Sequence, residues 1–156
     1  MTSEAEYSSK SAVFFYEREF YAFSNFSSFM LDWKGLTFPT SEHAYHWEKF
    51  TGHPNIQKKI LNAKSAHDSL KIAHSHRDKY ISNWDDIKLG VMKDILREKL
   101  RQHPYVLKKL METGSRTIIE DSWRDDYWGW GPNQDGMNHL GKIWMELRDE
   151  ITNVEM

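Results

Sequence analysis

The chain has 156 residues, enough for one domain with a single core, and 21 Lys and Arg against 23 Asp and Glu leave a net charge of −2. It contains no cysteine, which excludes disulfides, thiolate catalysis and thiolate-bound zinc, and no apolar run is long enough to span a membrane. Residues 1–11 are polar and rich in serine, without the basic start or apolar stretch of a signal peptide. They read as a disordered tail ahead of one domain over residues 12–153, and a cytoplasmic setting fits best.

Residues 13–20 are apolar and aromatic and suit a strand. Residues 29–33 and 36–38 form a short hairpin with its turn at Lys34-Gly35, closed by Pro39. Thr40 or Ser41 caps a helix that runs to about Phe50 and is ended by Gly52 and Pro54. Further helices are expected over residues 55–62 and 65–74, the second with Ser65 and Asp68 at capping-box spacing. The clearest helix starts near Asn83, where Trp84, Ile87, Val91, Met92, Ile95, Leu96 and Leu100 make one apolar stripe. Lys93, Arg97, Lys99 and Arg101 form its solvated face. Pro104 opens another helix that Gly114 ends, and residues 117–120 suit a strand. Residues 121–138 lose all periodicity, and an amphipathic helix follows over 138–152 with Leu140, Ile143, Trp144 and Leu147 inward. These elements define an α+β fold, a single compact and mostly helical domain with a small β-sheet.

Two places can carry chemistry. In the first helix Glu42, Tyr45, His46 and Lys49 fall at i, i+3, i+4 and i+7 and share a face. That spacing fits a catalytic stripe and an exposed polar face equally well. His43 and His46 alone are too few for a zinc site, so no metal and no cofactor is expected. The second place is the stretch from Asp125 to Asn138, with two adjacent acids, aromatic rings and several glycines leading into a helix N-terminus. Such a loop can turn backbone N–H groups toward a phosphate, or it can be a tight Trp-anchored turn. The 14% aromatic content is mostly core, with three or four rings left to wall a pocket.

The segments Phe23-Ser24-Asn25-Phe26, Ser41-Glu42-His43-x-Tyr45 closing on Lys49-Phe50, Asn83-Trp84, Tyr127-Trp128-Gly129 and Asn138-x-Leu140-Gly141 occur in that order. With Met145-Glu146-x-Arg148 they make residues 14–150 resemble the NADAR, or YbiA-like, family. The resemblance implies an N-glycosidase that releases ribose 5-phosphate from phosphoribosylamino-pyrimidine intermediates of riboflavin biosynthesis. Related members remove ADP-ribose from guanine in nucleic acid, so an ADP-ribosylated DNA or RNA is the alternative partner. A non-catalytic reader of ADP-ribose or NAD is the alternative from another class.

Residue by residue, the resemblance attaches functional roles to Glu42, Trp84 and Asp126, and Lys49 matches a recurrent family position. Glu42, Lys49 and Asp126 are thus the catalytic candidates, and Phe23, Asn25, Tyr45, Arg77, Trp84, Trp128, Gly129 and Asn138 the candidates for substrate contacts. Trp84 and Trp128 would stack on the base or wall the pocket, Arg77 would meet phosphate, and the loop before Asn138 would hold it. Two routes stay open: Glu42 or Asp126 stabilises an oxocarbenium-like sugar, or Lys49 captures C1′ as a Schiff base. The partner is thus a phosphoribosyl or ADP-ribosyl small molecule, with no membrane, and the oligomeric state is left open.

Overall fold

The computed structural model describes residues 11–15 and 20–155, with side chains described through residue 153. The disordered tail expected at the N-terminus lies outside the described residues but for Ser11. The described residues divide into two compact units: Asn25–His103, and the residues up to Ser24 together with those from Pro104 on.

The Asn25–His103 unit begins with a hairpin of β2 (Leu31–Trp33) and β3 (Leu36–Phe38), paired antiparallel with Leu31 opposite Phe38. Lys34 and Gly35 both take positive φ, 50° and 79°, the handedness that lets a two-residue turn follow the strand twist. Leu31 and Phe38 are fully buried on one face, while Asp32 accepts from the Thr37 hydroxyl on the other. Four helices follow: α1 (Ser41–Glu48), α2 (Pro54–Leu61), α3 (Ala66–Ser75) and α4 (Trp84–Gln102). Thr40 caps α1 by accepting the His43 N–H, and Ser65 caps α3 by accepting that of Asp68. Pro54 occupies the first turn of α2, where its missing N–H removes no helix bond. Phe50, Ile56, Ile60 and Ala73 pack as a core beneath α1, with Trp47, Ile72 and Tyr80 against it.

On α4 the apolar stripe is as expected at Trp84, Met92, Ile95, Leu96 and Leu100, but Lys99 is not on the solvated face. It lies three residues from Leu96 and four from Ile95, which turns it inward. Its Nζ donates to the Ser27 hydroxyl at 3.1 Å and stands 5.3 Å from the Phe29 ring.

In the other unit β1 (Ala12–Phe15) pairs in parallel with β4 (Thr117–Glu120), Ala12 opposite Thr117. Of the strand expected over residues 13–20, residues 13–15 are strand, residues 16–19 lie outside the described residues, and Phe20 is in a turn that leads into the 3-10 turn Tyr21–Phe23. α5 (Pro104–Glu112) and α6 (His139–Glu155) complete it. Trp144 of α6 is fully buried, 5.1 Å from the Phe23 ring, and its indole N–H donates to the Phe23 carbonyl. Arg148 donates to the Thr113 hydroxyl and the Arg116 carbonyl, tying α6 to the end of α5. No helix among the described residues is long and apolar enough to cross a membrane.

Candidate functional site

The polar face of α1 is not a solvated one. Ser41, Glu42, His43, His46, Glu48 and Lys49 are all buried. Burying such groups is destabilising unless each finds a partner. Each does. Ser41 donates to the Asn25 side-chain oxygen at 2.9 Å, and the Asn25 carbonyl accepts the Glu42 N–H. Asn25 also donates to the Met92 sulfur, so its side chain fixes the start of α1 against α4. His43 receives the Thr40 hydroxyl at Nδ1 and donates from Nε2 to the Ala63 carbonyl, so both ring nitrogens are engaged. Glu48 accepts from the Trp33 indole at 2.7 Å and pairs with Lys34 at 2.8 Å.

Glu42, His46 and Lys49 remain, and Lys49 lines a cleft. Glu42 Oε1 and His46 Nε2 are 2.6 Å apart. Lys49 ends α1 among three rings, its Nζ 5.0 Å from the centroid of Tyr45, 4.7 Å from Tyr80 and 5.8 Å from Trp84. Burial lowers the Lys49 pKa to about 8; the Glu42 charge pulls the other way and Lys88 adds to the lowering. The cleft, about 310 Å³, is lined by Tyr45, Lys49, His74, Arg77, Tyr80, Trp84, Asp85 and Lys88. Trp84 sits in the first turn of α4 and Lys88 one turn on, so the helix presents a ring and a cation to the same opening. Burial lowers the His74 pKa, and Lys49 and Arg77 lower it further, the mark of a positive field at the mouth.

The sequence-derived set thus separates. Lys49, Tyr45, Trp84 and Arg77 line this cleft, Glu42 acts electrostatically on Lys49, and Asn25 positions α1 behind it. His74, Tyr80, Asp85 and Lys88 join them without having been expected from the sequence. Lys88, four residues after Trp84, is within reach of helical spacing; Tyr80, in a loop 31 residues from Lys49, gives no signal.

The other candidates lie in the second unit. Phe23 has no exposed surface, and its ring is core, not a pocket wall. Asp126 is exposed in its loop. Asp125, beside it, accepts the N–H groups of Tyr127 and Trp128, and the half-buried Trp128 ring stands edge-on to Tyr127. The expected phosphate cradle is not open. The N–H groups of Gly131, Gln134, Gly136, Met137 and Asn138 all donate to carbonyls of residues 122–131. Those of His139 and Leu140, at the start of α6, donate to Tyr127 and Trp128. The Asn138 side chain is spent on β4, accepting the Glu120 N–H and donating to the Ile118 carbonyl. Gly129 is buried, and a Cβ there would meet the Glu120 carbonyl at 2.9 Å, so its close approach is to its own chain. The glycines close a turn.

Lys49 is thus held among rings at the edge of a cleft that Arg77 and Lys88 also line, on an α+β frame. The chain belongs to the NADAR domain family, whose model matches residues 14–152. It is 30% identical over 146 residues to an N-glycosidase of Nostoc punctiforme, covering 91% of this chain and 94% of that protein. It is 32% identical over 129 residues to N-glycosidase YbiA of Escherichia coli, covering 83% and 80%. A riboflavin biosynthesis protein of Vibrio vulnificus is 33% identical over 89% of this chain, which spans 38% of that longer protein. The NMR structure of E. coli YbiA superimposes with a TM-score of 0.84 at 29% identity, over 94% of this chain and 88% of that one.

Proposed function

We propose that the chain is an N-glycosidase that hydrolyses the ribosyl C1′–N bond of a phosphoribosylamino-pyrimidine and releases ribose 5-phosphate. The observation that carries this reading is Lys49, a buried amine among Tyr45, Tyr80 and Trp84 whose pKa lies near 8. An ordinary lysine is almost wholly ammonium at neutral pH; this one keeps about a tenth of its population as free amine there, and more as pH rises. The activity that names its relatives, N-glycosidase, supports the same bond class.

The chemistry balances without a metal or cofactor. A glycosylamine opens to an imine at C1′, and the Lys49 amine adds to that carbon. The C1′–N bond to the pyrimidine then breaks, and the amino-pyrimidine leaves carrying the transferred proton. Water adds to the lysine imine at C1′, the C1′–Nζ bond breaks, and the sugar departs as its aldehyde. The protonated imines on this route bear positive charge on nitrogen, which the Glu42 side chain and the three ring faces stabilise. The cationic rim of Arg77 and Lys88, with the His74 imidazole beside it, receives the phosphate, in place of the loop before Asn138. A cleft near the roughly 300 Å³ lower bound for ligand pockets suits a phosphoribosyl group better than a whole ADP-ribose. The resemblance gives Asp126 the second acid's part, and Asp126→Asn is the variant that reads it.

Borohydride added during turnover tests the covalent step. Reduction should fix ribose 5-phosphate on the Lys49 peptide, visible by mass. Turnover with no adduct on that peptide would return the reaction to direct attack of water on an oxocarbenium-like sugar facing Glu42.

A further inference from the structure

The imidazole of His46 has no part in the steps above, yet it is almost fully buried and touches Glu42. We propose that His46 is a positioning residue, donating its Nε2–H to Glu42 and fixing that carboxylate toward Lys49. Its catalytic consequence rests on the N-glycosidase reading; the hydrogen bond itself rests on geometry.

A contact of 2.6 Å between an imidazole nitrogen and a carboxylate oxygen requires one proton between them. Two arrangements supply it: an Nε2–H donating to an ionised Glu42, or a protonated Glu42 donating to Nε2. The opposite ring nitrogen decides. His46 Nδ1 is buried and has no hydrogen-bond partner among the described residues. Under the second arrangement a neutral ring must carry its proton on Nδ1, leaving a buried N–H unsatisfied, which proteins rarely tolerate. Under the first, Nδ1 is a bare lone pair, the milder orphan.

The surrounding charges agree. Burial lowers the His46 pKa and keeps the ring neutral; Glu42 opposes this, while Lys49 at the end of α1 and His74 of α3 add to the lowering. Arg77, just past α3, acts on His74, and Lys88 of α4 acts on Lys49. His43, on α1 itself, faces Glu42 and Asp68 of α3. On the hairpin side Lys34 is engaged by Glu48, and the lysines of α2, Lys58 and Lys59, are exposed. Glu42, His46 and Lys49 thus run along one face at i, i+4 and i+7, with the imidazole restraining the acid.

The test pairs a conservative and a disruptive variant. His46→Gln keeps an N–H donor; His46→Leu removes it at similar volume. The Leu variant should lose kcat by about 10- to 100-fold, the size of a lost hydrogen bond to a charged group, with KM little changed. The Gln variant should recover most of that loss. Nitrogen-15 shifts of the wild-type ring should show a neutral Nε2–H tautomer.

Wild-type kcat in His46→Leu would overturn the proposal. So would equal damage in both variants, or an Nδ1–H tautomer. The ring shifts need no substrate and no variant, so they decide even if His46→Leu fails to fold. A wild type with the expected tautomer that cleaves no ribosyl compound would sink the N-glycosidase reading and leave the Glu42–His46 restraint standing.

Discussion

Lys49 Nζ stands 4.7 Å from the centroid of the Tyr80 ring and 3.4 Å from its hydroxyl, though 31 residues separate the two. Tyr80 is held where the chain leaves the 3-10 turn Arg77–Lys79, and the Ile81 N–H donates back to the Lys49 carbonyl. The loop after α3 therefore closes over the end of α1 and shields an amine that would otherwise face water.

That shielding sets a pH dependence. The Lys49 pKa is lowered to about 8, so the ammonium dominates below that pH and the free amine above it. If the amine is the reacting form, kcat/KM should climb as pH rises toward 8 and level above it, and Lys49→Met should lose at least about 100-fold.

Opening the cage should move that limb. Tyr80→Ala admits water to Lys49, weakens the desolvation that depresses its pKa, and should shift the activity profile to higher pH. Tyr80→Phe keeps the ring and should stay close to wild type. An unshifted profile in Tyr80→Ala would mean that another group controls the limb.

The rim should act on binding, not chemistry. Arg77→Ala and Lys88→Ala are each expected to raise KM about tenfold with kcat within about twofold, by the loss of one charge-assisted phosphate contact. The effect should shrink at high salt and vanish for a substrate lacking the phosphate, which steady-state assays on paired substrates will read.

Lys99 makes a prediction about stability. Its folded pKa is pushed by burial to about 7, against 10.5 for an ordinary, solvated lysine. Between those values the unfolded chain holds the extra proton, so this residue's destabilisation is present in full below pH 7 and is relieved as pH rises toward 10.5. Lys99→Met should raise stability at pH 7 by a few kcal/mol in urea melts, and the gain should fade at high pH.

A Cβ at Gly136 would lie 2.7 Å from the Asp126 carbonyl oxygen and 2.8 Å from both the Asp126 Cα and the Trp130 carbonyl carbon. All are backbone atoms, so Gly136→Ala should cost about 3 kcal/mol or more in a urea melt.

What the sequence shows and hides follows from the range of the interactions. The β2–β3 hairpin, the capped starts of α1 and α3, and the α4 stripe are local patterns, and they are legible. The parallel pairing of β1 with β4 joins residues more than 100 apart, and no local pattern encodes it. The Glu42–Lys49 stripe is readable as one helix face, but its burial is not. Spacing alone cannot tell a solvated face from one covered by Asn25, Trp84 and Tyr80. Lys99 reads as solvated when charge is weighed above position, although it continues the run of Met92, Ile95 and Leu96. The glycines of residues 129–136 suggest an anion cradle because a closed turn and an open one use the same residues.

The most direct test of the central claim is release of free ribose 5-phosphate from a phosphoribosylamino-pyrimidine, with EDTA present, by wild type, Lys49→Met and Glu42→Gln. Release by wild type that is lost in both variants, each still folded and still binding substrate, is the expected result. No release by wild type, or undiminished release by Lys49→Met, would contradict the account; cleavage of ADP-ribosylated guanine in single-stranded DNA instead would move the substrate to the larger ligand.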